Sequence, residues 1–318
     1  MIIPGILKKT DLRPNFNFSW IVIYINIAVF FGVHMLFQSW PQKNNDQDFL
    51  SKNFNASLSQ MYLQTLDETE KKQYLDLPLE KVALVAIRDQ RFWSRAAHFP
   101  FKGDVIQIEA NKKVLLKLQH DYQDSVQYQL GLGAEQTSPW VWITYQFTHY
   151  SFLHLISNLV FLFFGILYLE KQVTAGWIGS VYILGGISGG ISFLLCNQSG
   201  NLSVIGASGS VCALLSFLMV IKKNELMPWT YFLAPIPKGY GEIYLPAFLI
   251  FPVYLLADFT SMLWNPSGIS ASVAHSAHVG GTIMGFILGL SYLLLNFFRS
   301  KSAAHGIFSD HDGLDKLF

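Results

Sequence analysis

The chain has 318 residues, of which 51% are apolar, 15% aromatic and only 14% charged, whereas a soluble domain usually carries about 25% charged residues. The charges crowd into residues 40–135 and the remainder runs in long apolar stretches, which excludes a single globular core and predicts membrane spans around one soluble segment. A net charge of +1 gives no field that would draw in nucleic acid or an acidic partner.

In chain order, a basic leader (Lys8, Lys9, Arg13) precedes the first apolar run, Trp20–Phe37. That run is too long for the apolar region of a signal peptide, and Gln38-Ser39-Trp40-Pro41 is not a small-residue cleavage site, so a retained anchor is expected. Residues 40–139 form a segment the size of a small domain. Within it Gln60–Leu66 and Leu79–Ile87 read as short helices, with Asp67-Glu68 at a helix start, and Lys112–Leu130 has helical spacing. Asp104–Ile108 alternates like a strand, and Asp89-Gln90-Arg91-Phe92 reads as packing and surface charge. Five more apolar runs follow: Phe152–Leu169, Trp177–Cys196, Ile205–Ile221, Ile243–Leu263 and Val273–Phe298. Cys196 and Cys212, at the ends of such runs, supply neither a disulfide framework nor a metal-ligand spacing.

Orientation follows the short-loop cations. Lys171 follows span two, Lys222 and Lys223 follow span four, and Arg299 and Lys301 follow span six, while the loops after spans three and five carry no Lys or Arg. With six spans all positive flanks share one side, so both termini are expected in the cytoplasm and residues 40–139 on the far side.

Polar groups inside spans are costly, and each is a candidate functional residue. They cluster at His149–Asn158 opening span two, Gly206–Ser210 opening span four, and His275–His278 opening span six, with Asp258 late in span five. Spans two, four and six all enter from the non-cytoplasmic side, so these openings form one polar layer within reach of water. His154 and Asn158 share a helix face, although one Asn alone is more often a hydrogen bond between helices. Ser208, between Gly206 and Gly209 at a helix start, has unpaired N–H groups and a positive dipole end nearby. Those groups suit a developing oxyanion. Gly281, Gly285 and Gly289 follow His278 at intervals of four, a stripe that lets span six press on a neighbour. If the neighbour is span four, through Ala207, Ser210 and Ala213, His278 comes within reach of Ser208 as the base that a serine nucleophile needs.

These motifs resemble the rhomboid intramembrane proteases. His154-Leu155-Ile156-Ser157-Asn158 is similar to that family's His-x-x-x-Asn of span two, Gly206-Ala207-Ser208-Gly209 to its Gly-x-Ser-Gly of span four, and Ala277-His278-Val279-Gly280-Gly281 to its Ala-His-x-x-Gly of span six. The likeness runs from about Trp140 to Gly289. It implies an all-α, six-transmembrane-helix rhomboid-like bundle whose first non-cytoplasmic loop is enlarged into a small α or α+β domain. It also implies a Ser208–His278 dyad without a third acid, and His154, Asn158 and the Ser208 N–H as holders of the oxyanion. The substrate would be a transmembrane protein segment cut near its outer end, and no cofactor is implied. His149 resembles a structural histidine of the family, and Glu170 fits a family position. Two positions depart from the pattern: Val141 stands where Arg is usual, and Cys212 where an aromatic packs on the histidine ring.

The expected division is a cytoplasmic segment 1–19, a first transmembrane helix 20–39, a soluble insertion 40–139, a rhomboid core 140–298 and a cytoplasmic tail 299–318, in a multi-pass protein of a bacterial inner membrane, a topology that also fits a secretory-pathway membrane. The alternative is a rhomboid-like membrane chaperone or scaffold without catalysis, against which the intact Ser208 and His278 argue. A metal enzyme or transporter built on His149, His154, His275 and His278 lacks the His-Glu-x-x-His signature.

Overall fold

A computed structural model describes residues 2–4, 20–36, 52–134, 136–196, 203–222, 226–232, 240–246 and 272–311. The elements are β1 (Ile2–Pro4), α1 (Ile21–Leu36), α2 (Lys52–Thr65), α3 (Glu68–Lys72), α4 (Leu79–Arg88), α5 (Gln90–Ala96), α6 (Val105–Gln123) and α7 (Val126–Leu130). They continue with α8 (Val141–Thr144), α9 (Phe152–Leu169), α10 (Ala175–Cys196), α11 (Ser208–Ile221), β2 (Leu226–Phe232), β3 (Tyr240–Pro246) and α12 (Ser272–His311). By length and composition, Phe152–Leu169, Ala175–Cys196 and His275–Lys301 can each cross a membrane, and Ile21–Val33 and Ser208–Ile221 are shorter apolar helices.

The long helices assemble around α11. Small residues set the spacing: a methyl on Gly281 would run into the Gly209 carbonyl, one on Gly285 into the Ala213 carbonyl, and one on Gly289 would meet Val220. The glycine stripe of α12 therefore lies on α11, as its four-residue period predicts. Ala213 also occupies the face of α10 at Gly185. A core of Leu162 and Ile166 from α9, Ile178 and Tyr182 from α10, and Leu214 and Phe217 from α11 fills the rest. Trp20, just before α1, and Ile23 of α1 join this core. The buried Asn26 of α1 donates to the Tyr182 hydroxyl (3.1 Å), and the Trp20 indole N–H donates to Glu170 (3.0 Å) at the end of α9.

The insertion has its own core of Leu58, Tyr62, Val82, Phe92, Trp93 and Tyr122. Its helices begin where the sequence supplies caps. Asp67 makes a capping box with Glu70, and the Asp89 carboxylate accepts from the Arg91 and Phe92 N–H groups. Asp104 accepts from the Ile106 N–H, so Val105–Ile108 opens α6 and is not a strand. Four residues of alternation are too few to oppose a capping aspartate followed by a helix-forming run. The helix expected over Lys112–Leu130 breaks at Asp124, after which Ser125 caps α7. Asp89 and Gln90, expected as packing and surface charge, are buried and hydrogen-bonded: Tyr62 donates to Asp89 (3.0 Å) and Gln90 to the Tyr122 hydroxyl (3.1 Å).

Strand β1 pairs with β2 and β2 with β3, all antiparallel. Ile243–Pro246, expected as the start of span five, belongs to strand β3. The alternating Tyr240-Gly241-Glu242-Ile243-Tyr244 supplies the β-branched and aromatic residues that favour a strand. The rest of that expected span, with Asp258, lies outside the described residues.

Candidate active site

Three helix openings meet. On α9, Ser151 is the N-cap and its hydroxyl accepts from the His154 N–H (3.2 Å). The fully buried His149 precedes the cap. Its Nδ1 lies 3.2 Å from the Phe147 carbonyl oxygen and its Nε2 3.5 Å from the Ala207 amide nitrogen. The tautomer that meets both contacts carries the proton on Nδ1 and accepts from Ala207 with Nε2. The His149 and His154 rings stand edge to face, 5.1 Å apart. Asn158, one turn below His154 and buried, donates one amide hydrogen to the His154 carbonyl (3.0 Å). Its second amide hydrogen can serve another acceptor. This bond stays within α9, so it is not a bond between helices.

Gly206 leads into α11 with φ +132, a conformation that only glycine adopts readily. A methyl there would sit 2.8 Å from Cε1 and 3.0 Å from Nε2 of His154, and 3.9 Å from Oγ of Ser208. The His154 ring and the Ser208 hydroxyl therefore flank one α-carbon. Ser208 opens α11 after Ala207 and is half-buried, while Gly206, Ala207, Gly209 and Ser210 around it are buried. Ser208 is thus partly accessible while the residues beside it are not. The Ser208 and Gly209 N–H groups belong to the first turn of α11, where a helix has no internal acceptors for them.

On α12, the Ala277 carbonyl sits between Gly189 of α10 and Gly209 of α11. His278 follows directly and is buried. Ser208 and His278 each adjoin the Gly209–Ala277 crossing, one on either helix. The His275 ring packs edge-on to His278 at 6.0 Å. Thr282 donates to the His278 carbonyl (2.7 Å). Among the described residues no group of three His, Cys, Asp or Glu side chains could hold a metal ion.

A family model of the rhomboid domain matches residues 136–295, half of the chain. The chain belongs to the rhomboid family. With its apolar helices, that makes it an integral membrane protein. It is similar to RHOMBOID-like protein 5 of Arabidopsis thaliana, 28% identical over 162 residues that cover 51% of this chain and 46% of that protein. RHOMBOID-like protein 1 of the same plant is 28% identical over 171 residues, covering 52% and 39%. Rhomboid protease GlpG of Pectobacterium atrosepticum is 26% identical over 181 residues, covering 55% and 57%. The chain spans about half the length of these curated relatives.

Within the rhomboid domain the two departures have local explanations. Val141 is fully buried beside Leu132 and Tyr145, where an apolar side chain fits. Cys212 is a buried cysteine on α11 that forms no disulfide among the described residues, and the ring beside His278 comes from His275. Several residues around the site carry no sequence motif. Gln146 accepts from the Ser210 hydroxyl (3.0 Å), and the Tyr145 carbonyl accepts from the Gly206 N–H (2.8 Å). Tyr122 and Leu132 hold the segment just before Gly206. The Gly131-Leu132-Gly133 triplet was the available hint of a close backbone approach.

Proposed function

We propose that this rhomboid is an intramembrane serine endopeptidase acting through a Ser208–His278 dyad. The supporting observation is the crossing of Gly209 with Ala277, which both residues adjoin while the His154 ring and the Ser208 hydroxyl flank Gly206. In this reading His278 takes the Ser208 proton as Oγ attacks the scissile carbonyl. The oxyanion is held by the Ser208 N–H, His154 and the second amide hydrogen of Asn158. His278 then protonates the leaving amine. It next takes a proton from the water that cleaves the acyl-enzyme, and Ser208 is restored.

The substrate class is a transmembrane segment unwound near its outer end, since an intact helix hides its carbonyls in hydrogen bonds. The proposed arrangement is six spans in a bacterial inner membrane, with both termini cytoplasmic and residues 40–139 outside. The pairing of β1 with β2 supports one part of this, because it joins the chain's start to the segment after α11 on one side. The contact of the insertion with the residues before Ser208 supports an outward-facing site.

The test is labelling of the purified chain with a fluorophosphonate or isocoumarin probe. Wild type is expected to be labelled and Ser208→Ala not. An unlabelled wild type, under conditions that label an active relative, rejects the protease and favours the scaffold.

A further inference from the structure

We propose that the soluble insertion holds the nucleophile loop in place, and that Tyr122 is the positioning residue through which it acts. This rests on the protease reading above.

Tyr122 lies at the end of α6, 1% exposed, with its ring edge-on to Trp93 (5.5 Å) and Tyr128 (5.5 Å) in the insertion core. Its hydroxyl leaves that core at one point and there meets Ser203, 81 residues away in the chain. It donates to the Ser203 Oγ (2.9 Å) and accepts from the Ser203 backbone N–H (2.9 Å). Gln90, also in the insertion, donates to it (3.1 Å). One donated and two accepted bonds fill the capacity of a phenol and fix its direction.

Ser203 begins the stretch that ends at Ser208, and nearly every backbone step between them is fastened. Val204 exchanges two bonds with Leu132, 2.8 and 3.0 Å. Gly131 and Gly133 lie so close that a side chain on either would strike Ser203. The Gly206 N–H goes to the Tyr145 carbonyl (2.8 Å) and the Ala207 N–H to His149. The membrane core holds the end of this stretch next to Ser208, and the insertion holds its beginning. A small displacement of a reacting group lowers rate far more than binding. Losing the Tyr122 anchor should therefore act on chemistry and leave substrate affinity nearly intact.

The experiment compares full-length wild type, Tyr122→Phe and Tyr62→Phe. The last removes a buried hydroxyl from the same core away from Ser203, so it controls for general loosening. Fluorophosphonate labelling rates at Ser208, kcat and KM on a transmembrane substrate, and hydrogen exchange of the Ser203–Ala207 amides are measured on each. Tyr122→Phe is expected to slow labelling and kcat about tenfold, with KM changed less than about twofold, and to speed exchange at Ser203–Ala207. Tyr62→Phe is expected to do none of these. Equal labelling of wild type and Tyr122→Phe overturns the anchor alone. Equal slowing in both variants overturns it too, by showing a general effect of insertion stability. An unlabelled wild type overturns the protease reading and the positioning role with it.

Discussion

The imidazole of His154 rests against the α-carbon of Gly206, leaving no room for a side chain between them. Helix α9 and the loop into α11 are thereby held at contact distance, and the loop keeps its φ of +132.

Gly206→Ala should fail on both counts. The strained conformation costs about 1–3 kcal/mol, and the added methyl displaces His154 or the loop. The expected result is a lower melting temperature and a loss of Ser208 labelling greater than about tenfold. A variant that labels at the wild-type rate would show that this contact is unrelated to the chemistry.

Removing either member of the proposed dyad should abolish turnover without unfolding the chain. Ser208→Ala and His278→Ala are each expected to lower kcat by about 10⁴-fold or more. Reconstituted vesicles carrying a transmembrane substrate give the readout, and unchanged melting controls for folding. Substantial turnover by either purified variant excludes the dyad.

The helix seam gives a paired prediction. Gly281→Ala drives a methyl into the Gly209 carbonyl, a backbone atom that cannot swing away. Overpacking of this kind costs about 1–3 kcal/mol, and it should separate Ser208 from His278. Gly179→Ala on α10 meets nothing within 4 Å, and it should be neutral or stabilise by up to about 1 kcal/mol through helix propensity. Thermal melting and probe labelling of the two variants distinguish a seam from a general intolerance of substitution.

Asp89 supplies the pH dependence. Burial pushes its carboxyl above the ordinary value, against the opposing effects of the Tyr62 hydroxyl, Arg91 and the α5 amides. Burial likewise pushes the Tyr62 phenol upward, so it remains a donor. The folded chain therefore holds the Asp89 proton more tightly than the unfolded chain. This contribution to stability is complete below the unfolded carboxylate pKa and is lost as pH rises through the folded one. Asp89→Asn keeps an acceptor for the cap, turns the oxygen facing Tyr62 into an amide that donates to its hydroxyl, and removes the charge. It should flatten the pH dependence and raise stability at neutral pH, as read by intrinsic tryptophan fluorescence in melts near pH 5 and pH 8. Asp89→Ala should instead cost about 2 kcal/mol, losing the cap and a buried partner of Tyr62. A steeper pH dependence in Asp89→Asn would contradict this assignment.

The candidate residues were conspicuous in the sequence because membrane burial makes polar side chains stand out. His154, Asn158, Ser208 and His278 stood out against apolar runs, and the four-residue glycine period identified the face of α12 that meets α11. Helix starts in the insertion were readable from Asp67. Short windows misled: Asp104–Ile108 imitated a strand, and Ile243–Pro246 was absorbed into an apolar run although its aromatic alternation suits β3. The Tyr122–Ser203 contact was not readable at all. A tyrosine and a serine 81 residues apart carry no local pattern, and their meeting depends on how two separate cores dock.

The fastening of residues 203–207 also bears on how a newly made chain matures. Tyr122, Leu132, Tyr145 and His149 are all synthesised before the segment they grip. Helix α12 follows later in the chain and brings the His278 imidazole. On the proposed chemistry, a nascent rhomboid can therefore be threaded through the translocation machinery among other unwound membrane segments while still harmless to them.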